Sequence, residues 1–270
     1  MGQGRLTPVR VCRDLLNAGQ GWDSIKRGCN IYSRRIVSKV MEKETMRYLY
    51  IFTFPDGTEK QFEIVLDATT LEFTPPADRP KPAWTKLKYC QCSNCPLGDE
   101  VEYCPVAVNL STVVETFKDR TSHESTVVSV EAGQRTYQKE IPLQRGLSSI
   151  AGMRMVTSNC PILDQLRPNV RFHLPFASSE EKVYRQVAMY LTQQYFIMRR
   201  GGKPDWDLSK LKEIYREVLL VNKGLAERLT KSSSRDANVN AIIILASFGQ
   251  FLDDYLETSL QEIEPYFRRP

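Results

Sequence analysis

The chain has 270 residues, with 37 Lys and Arg against 32 Asp and Glu, so its formal net charge is +5. Apolar residues make up 41% and charged residues 26% of it, which excludes a disordered chain, a collagen-like repeat and a disulfide-dense miniature fold. A chain of this length folds as one large domain or two small ones.

The positive charge is confined to the N-terminal sixth of the chain. Residues 1–45 hold nine basic and four acidic residues, whereas residues 46–270 hold 28 of each. The apolar residues of the first segment follow neither a helical nor a strand period, and glycines interrupt it. We therefore predict that residues 1–45 are an extension outside the folded unit. A basic arm that binds nucleic acid or an anionic membrane, and a targeting peptide, are the alternatives.

Two segments have the alternation that is typical of a β-hairpin. Residues 46–54 alternate aromatic with other side chains, Pro55-Asp56-Gly57 provides a turn, and the alternation resumes over residues 62–66. A second hairpin pattern covers residues 127–141. We predict that residues 46–141 form a β-rich region, a small antiparallel sheet with a cysteine-rich insert between its hairpins.

The remainder of the chain has helical spacing. Residues 142–267 predict a C-terminal bundle of about four helices, packed on the β-rich region as one domain. Within it, Ser178 and Glu181 have the spacing of a capping box. A short helix with Asn109 as its N-cap is predicted between the hairpins. The fold class is therefore α+β.

The cysteines predict the cellular compartment. The chain has seven of them, an odd number, and no secretory signal is visible, so reduced thiols in the cytoplasm are expected rather than disulfides. No stretch reaches the ~18 uninterrupted apolar residues of a membrane span, so no membrane association is predicted.

Four of the seven cysteines form a candidate metal site. The pattern C-x-C-x2-C-x8-C places Cys90, Cys92, Cys95 and Cys104 within 15 residues. Short loops let such thiolates converge on one ion, and four sulfurs complete a tetrahedral structural Zn²⁺ site. An iron–sulfur cluster is the first alternative, because prolines follow Cys95 and Cys104 as in ferredoxin-type spacings. Thiols without a metal are the second.

Cys160 and His173 form a weaker candidate site. Cys160 precedes a proline, a context typical of a helix N-terminus, where the helix dipole lowers the pKa of a thiol. His173 follows thirteen residues later and could serve as its base. The alternative is a packed cysteine and a hydrogen-bonded histidine. No nucleotide-binding, nucleophile-elbow or zinc-protease motif is present in the sequence.

Several of these segments together resemble a known family. They are Arg47 to Asp67, Cys90 to Leu97, Cys104-Pro105-Val106, Thr157 to Pro161 and Phe172 to Ser178. They resemble a bacterial family catalogued only as a domain of unknown function, over about Met46 to Phe267. The resemblance implies a bacterial cytoplasmic protein whose domain begins near Met46, and it implies no activity.

The sequence favours a non-catalytic module over an enzyme. We predict a zinc-stapled interaction or regulatory module, which contacts a protein partner or a second copy of itself through its helical half. Nucleic acid would bind only through residues 1–45. A thiol-dependent enzyme that uses Cys160 and His173, and an iron–sulfur redox module, are the alternatives.

Overall fold

The structure, a computed structural model, describes residues 44–75 and 81–268. The chain divides into two units, one that ends at Glu44 and one that begins at Thr45, and every element named below lies in the second. The predictions made for the basic extension, residues 1–45, therefore fall almost entirely outside the described residues.

Both predicted hairpins are present, and they join edge to edge. Strand β1 (Thr45–Thr53) pairs with β2 (Glu59–Asp67), and β3 (Ser125–Ala132) pairs with β4 (Arg135–Pro142), all antiparallel. β1 also pairs antiparallel with β3, which gives one four-stranded sheet of order β2-β1-β3-β4.

Five α-helices lie in the described part of the chain, four of them after the sheet, so the predicted α+β class is confirmed. They are α1 (Pro105–Phe117), α2 (Leu143–Val156), α3 (Ser179–Arg199), α4 (Ser209–Thr230) and α5 (Ala237–Ile263). A 3₁₀-helix over Leu163–Phe172 connects α2 to α3. The capping box is formed as expected, because Ser178 Oγ accepts from Glu181 N and Glu181 Oε2 accepts from Ser178 N.

The predicted N-cap of the first helix, Asn109, is wrong by five residues. Helix α1 begins at Pro105, where proline has no amide to leave unpaired, and Cys104 is its N-cap residue. Asn109 lies inside the helix, buried, and its side-chain amide donates to the carbonyl of Arg154 at 2.9 Å. Cys104 therefore lies at the N-terminus of helix α1.

The sheet buries one face against α1 and α2. The alternating aromatic residues of β1 all lie in this core: Tyr48, Tyr50, Phe52 and Phe54. Phe52 contacts Phe117 of α1, with ring centroids 5.2 Å apart. Burial of aromatic side chains of this size is the main stabilising contribution of such a sheet.

A second apolar cluster holds the cysteine-rich insert. Trp84 from the insert and Val106 from α1 pack with Val221 and Leu225 of α4. The insert therefore lies between the start of α1 and the middle of α4, so that a helix far along the chain forms one wall of the cysteine region.

Close packing of α2 on the sheet predicts opposite effects for two glycines of that helix. A Cβ at Gly146 would lie 2.8 Å from both Phe52 Cε1 and Val128 Cγ2, whereas a Cβ at Gly152 would meet only Leu245 Cδ2, at 3.5 Å. Gly146→Ala should lower the free energy of unfolding by about 1–3 kcal/mol, because overpacking outweighs the gain in helix propensity. Gly152→Ala should raise it by up to about 1 kcal/mol. Urea unfolding of both variants measures the difference, and equal effects would contradict the packing.

No single described helix is long and apolar enough to cross a membrane. By length and composition alone, one bent pair of segments, Ala237–Leu252 and Leu256–Phe267, could do so.

Candidate metal centre

Four cysteines from three separate segments line one small cavity, which we call the cysteine cavity. They are Cys92 and Cys95 of the insert, Cys104 at the start of α1 and Cys160 after α2. Its volume is about 20 Å³, and the rest of its wall is apolar except for Arg228. A space of this size holds about one water-sized sphere.

The thiol of Cys92 lies against helix α4. Burial, and to a smaller extent the neighbouring thiols of Cys104, Cys95 and Cys160, together raise its pKa to about 12. Its sulfur lies 3.8 Å from the carbonyl oxygen of Val221, and a Cβ at Gly224 would lie 2.9 Å from the same sulfur. Helix α4 can therefore approach Cys92 only because residue 224 is glycine.

The thiol of Cys160 is also buried, and burial raises its pKa. The backbone amides of Leu163 and Ile162 act in the opposite direction, because a hydrogen bond to the sulfur favours the thiolate. The sequence predicted Cys160 at the start of an α-helix, and this is wrong. A turn and then the 3₁₀-helix follow it. Burial is the larger effect on the pKa of Cys160, so the neutral thiol is favoured.

Cys90 lies outside the cysteine cavity. Its sulfur is 3.5 Å from Lys231 Nζ and 4.0 Å from Glu227 Oε2, both on an exposed side of α4. The structure thus brings together three of the four predicted ligands, Cys92, Cys95 and Cys104, and places Cys160 where the sequence predicted Cys90.

Arg228 supplies a buried positive charge at the same place. It is 2% exposed, and its guanidinium donates to the carbonyl oxygens of Trp84, Lys86, Leu87 and Cys90. No ion pair in the described part of the chain involves Arg228. It also lowers the pKa of Cys92, against the larger effect of burial. A buried cation without a carboxylate requires another source of negative charge nearby.

Among the residues that the structure describes, no three His, Cys, Asp or Glu side chains already stand in the arrangement of a formed metal site. The four thiols share a cavity without converging on one point.

The predicted pair of Cys160 and His173 is not brought together. His173 lines a second, larger cavity, and its Nε2 lies 2.7 Å from Tyr50 Oη and 3.4 Å from Ser149 Oγ. Cys160 lines the cysteine cavity, where its hydrogen-bond partners are backbone amides. The two residues are only thirteen positions apart but line different cavities, and the 3₁₀-helix Leu163–Phe172 lies between them.

The environment of His173 predicts a loss of stability in mild acid. Burial and the neighbouring charge of Arg185 lower its pKa to about 3 from an ordinary 6.5. Between these values the unfolded chain binds a proton that the folded chain excludes, so the free energy of unfolding falls as pH falls, by at most about 1.4 kcal/mol per pH unit. His173→Gln should remove this part of the slope between pH 7 and pH 5 in urea titrations. Identical slopes for the two proteins would contradict the assignment.

Sequence reasoning missed two features of the centre, Cys160 as a cavity thiol and Arg228. A partial signal for the first was present, because proline follows Cys160 as it follows Cys95 and Cys104, although Cys92 is followed by serine. A signal for the second was its spacing, since Arg228 stands three residues after Leu225 on the buried face of α4.

The fold and this centre define an α+β domain with a cysteine-rich insert packed between its first and fourth helices. The chain belongs to the family described as Domain of unknown function (DUF6901), whose model matches residues 48–268. Comparison with curated proteins and comparison with solved structures both give no match.

Proposed function

We propose that this chain is a non-catalytic module stapled by one Zn²⁺, which the thiolates of Cys92, Cys95, Cys104 and Cys160 would hold. The observation that carries the proposal is the delivery of four thiols, from three segments, to one ion-sized cavity. Four thiolates around a divalent ion leave an excess of negative charge, which the unpaired guanidinium of Arg228 offsets. A closed set of four sulfurs has no position for substrate or water, so the role of the metal is structural.

The size of the cavity favours a single ion over an iron–sulfur cluster. About 20 Å³ accommodates one sphere of the size of water, whereas a cuboidal cluster needs the walls to move apart. The prolines that follow Cys95, Cys104 and Cys160 are the feature that favours the cluster. In either case the same four thiols are the ligands.

The staple would connect the two halves of the chain. Cys92, Cys95 and Cys104 lie between the two hairpins, and Cys160 lies between α2 and the helices that follow. One ion would therefore close a long loop of chain, and binding energy of this kind is folding energy.

The proposal also includes a role and a location. The module interacts with or regulates a partner in a bacterial cytoplasm, where thiols stay reduced. Exposed apolar side chains near the end of α3 support contact with a protein partner or a second copy of the chain: Tyr195, Phe196, Ile197 and Met198. The thiol-dependent enzyme is the less favoured alternative, because its two residues face different cavities.

Metal analysis tests the proposal. The purified full-length protein should contain about one zinc per chain, and a strong chelator should lower its Tm by about 10 °C or more. If the protein instead contains iron and has a visible absorption band, the bound group is an iron–sulfur cluster on the same residues. A protein that holds neither metal and keeps its Tm in chelator would contradict the staple. Rapid alkylation of Cys160 in the metal-loaded protein would favour the enzyme instead.

A further inference from the structure

The second cavity is large and lies among the helices of the C-terminal half. Its volume is about 550 Å³, within the range of sites for small organic molecules. The helices α2, α3, α4 and α5 all contribute to its wall, together with the chain around His173. We call it the helical cavity, and it shares no lining residue with the cysteine cavity.

The wall of the helical cavity has an unbalanced charge. Lys139, Arg145, Lys182 and Arg185 line it, and none of the described residues that line it is Asp or Glu. Arg185 lies close enough to Lys182 and His173 for its charge to lower the pKa of each, although burial is the larger cause for both. The cations therefore repel one another at one part of the wall.

The guanidinium of Arg185 is the least satisfied group there. Its Nε and Nη1 atoms are buried and have no hydrogen-bond partner in the described part of the chain. Glu181 is one turn away, but its carboxylate already accepts from the backbone amide of Ser178 in the capping box. A partly buried cation in this state is destabilising by itself, and an anion in the helical cavity would offset its charge.

Two further features complete a site with distinct ends. Ser178 and Ser179 line the helical cavity, so the positive end of the α3 dipole lies at its wall. Elsewhere the wall is largely apolar, with Met153, Leu245 and Phe248 among its residues.

From this arrangement we infer that the helical cavity binds a small amphipathic anion, whose carboxylate or phosphate group pairs with Arg185, Lys182 and Arg145 and whose apolar body lies among the helices. This inference does not rest on the metal staple. A ligand bound in this way contacts four helices at once, so its binding stabilises the helical half against unfolding.

Calorimetric titration of the purified full-length protein with decanoate, decyl phosphate and decan-1-ol tests the inference. At least one of the two anions should bind with one site per chain. Which anion binds more tightly identifies the preferred head group, carboxylate or phosphate. Decan-1-ol, which has the same chain without the charge, should bind at least 10-fold more weakly. Absence of binding by both anions, or equal binding of the alcohol, would overturn the inference.

Variants of two arginines on the same helix locate the site. Arg185→Met should weaken binding of the anion at least 10-fold, and its Tm without ligand should equal or exceed that of the wild type, because an unpaired buried charge is removed. Arg199→Met, at the exposed end of α3, should bind like the wild type. If Arg185→Met fails to fold, Lys182→Met serves in its place. Unchanged affinity in the Arg185 variant, or in Lys182→Met used instead, would sink the proposal.

Discussion

Replacing Cys160 by alanine should abolish metal binding and lower the free energy of unfolding by about 3 kcal/mol or more, whereas replacing Cys90 by alanine should change neither. The reason is positional: Cys160 lines the cysteine cavity, and Cys90 lies outside it beside Lys231 and Glu227. The two substitutions are chemically the same, so they differ only in which thiol they remove.

Chelator separates loss of metal from loss of packing in this comparison. Alanine at a buried cysteine also leaves a small gap in the apolar wall, which costs about 1 kcal/mol. With the metal removed from both proteins, the difference between Cys160→Ala and the wild type should shrink to about that value. Urea unfolding with and without chelator measures it. A Cys160→Ala variant that keeps its zinc, or a Cys90→Ala variant that loses it, would contradict the ligand set.

Replacing Arg228 by methionine should be the most damaging change outside the cysteines. It leaves the four carbonyl oxygens of the insert without their donor and removes the cation beside the thiols. We expect the free energy of unfolding to fall by about 3–5 kcal/mol, as when one partner of a buried polar network is removed. The affinity for zinc should fall with it, because the charge of the thiolates loses its compensation.

Two matched variants separate the effect of losing the charge of Arg228 from the effect of losing its hydrogen bonds. Lys223→Met removes an exposed cation from the same helix and should stay within about 0.5 kcal/mol of the wild type. Arg228→Lys keeps the charge but not the planar fork that reaches several carbonyls, so it should recover part of the metal affinity and less of the stability. Competition with a zinc-binding dye measures the affinity. An Arg228→Met protein with wild-type zinc affinity would show that the guanidinium only holds the carbonyl groups of the insert and does not compensate the charge of the thiolates.

The hairpins and helices could be predicted because their signals are local. Alternating aromatic residues in β1, the turn at Pro55-Asp56-Gly57 and the capping box at Ser178 each act within a few residues. The order of the strands could not be predicted, since pairing of β1 with β3 joins residues about 80 positions apart and leaves no local pattern.

The composition of the cysteine cavity was only partly predictable for a related reason. Spacing favours cysteines that are near in sequence, so it selects Cys90, whereas the fold brings in Cys160 from 56 residues beyond Cys104. The carbonyl of Cys90 accepts a hydrogen bond from Arg228, a residue 138 positions away, and no local pattern in the sequence indicates this contact. From sequence, an arginine on an amphipathic helix is normally interpreted as a solvated charge. Only its position on the apolar face of the helix indicates that it is buried.

The helical cavity shows the same limit. Lys182 and Arg185 belong to a helix start that also carries Glu180 and Glu181, so the sequence indicates a balanced, solvated surface. Only the fold separates these charges, because the carboxylate of Glu181 caps the helix while the cations of Lys182 and Arg185 face the cavity.

The most direct test of the four-thiolate centre is X-ray absorption at the zinc edge on a full-length protein whose other three cysteines, Cys12, Cys29 and Cys90, are replaced by serine. Only the cysteines of the cavity then remain. The account predicts one zinc per chain, surrounded by four sulfurs at about 2.3 Å. A protein that binds no metal, or a zinc with fewer than four sulfur ligands, would contradict it.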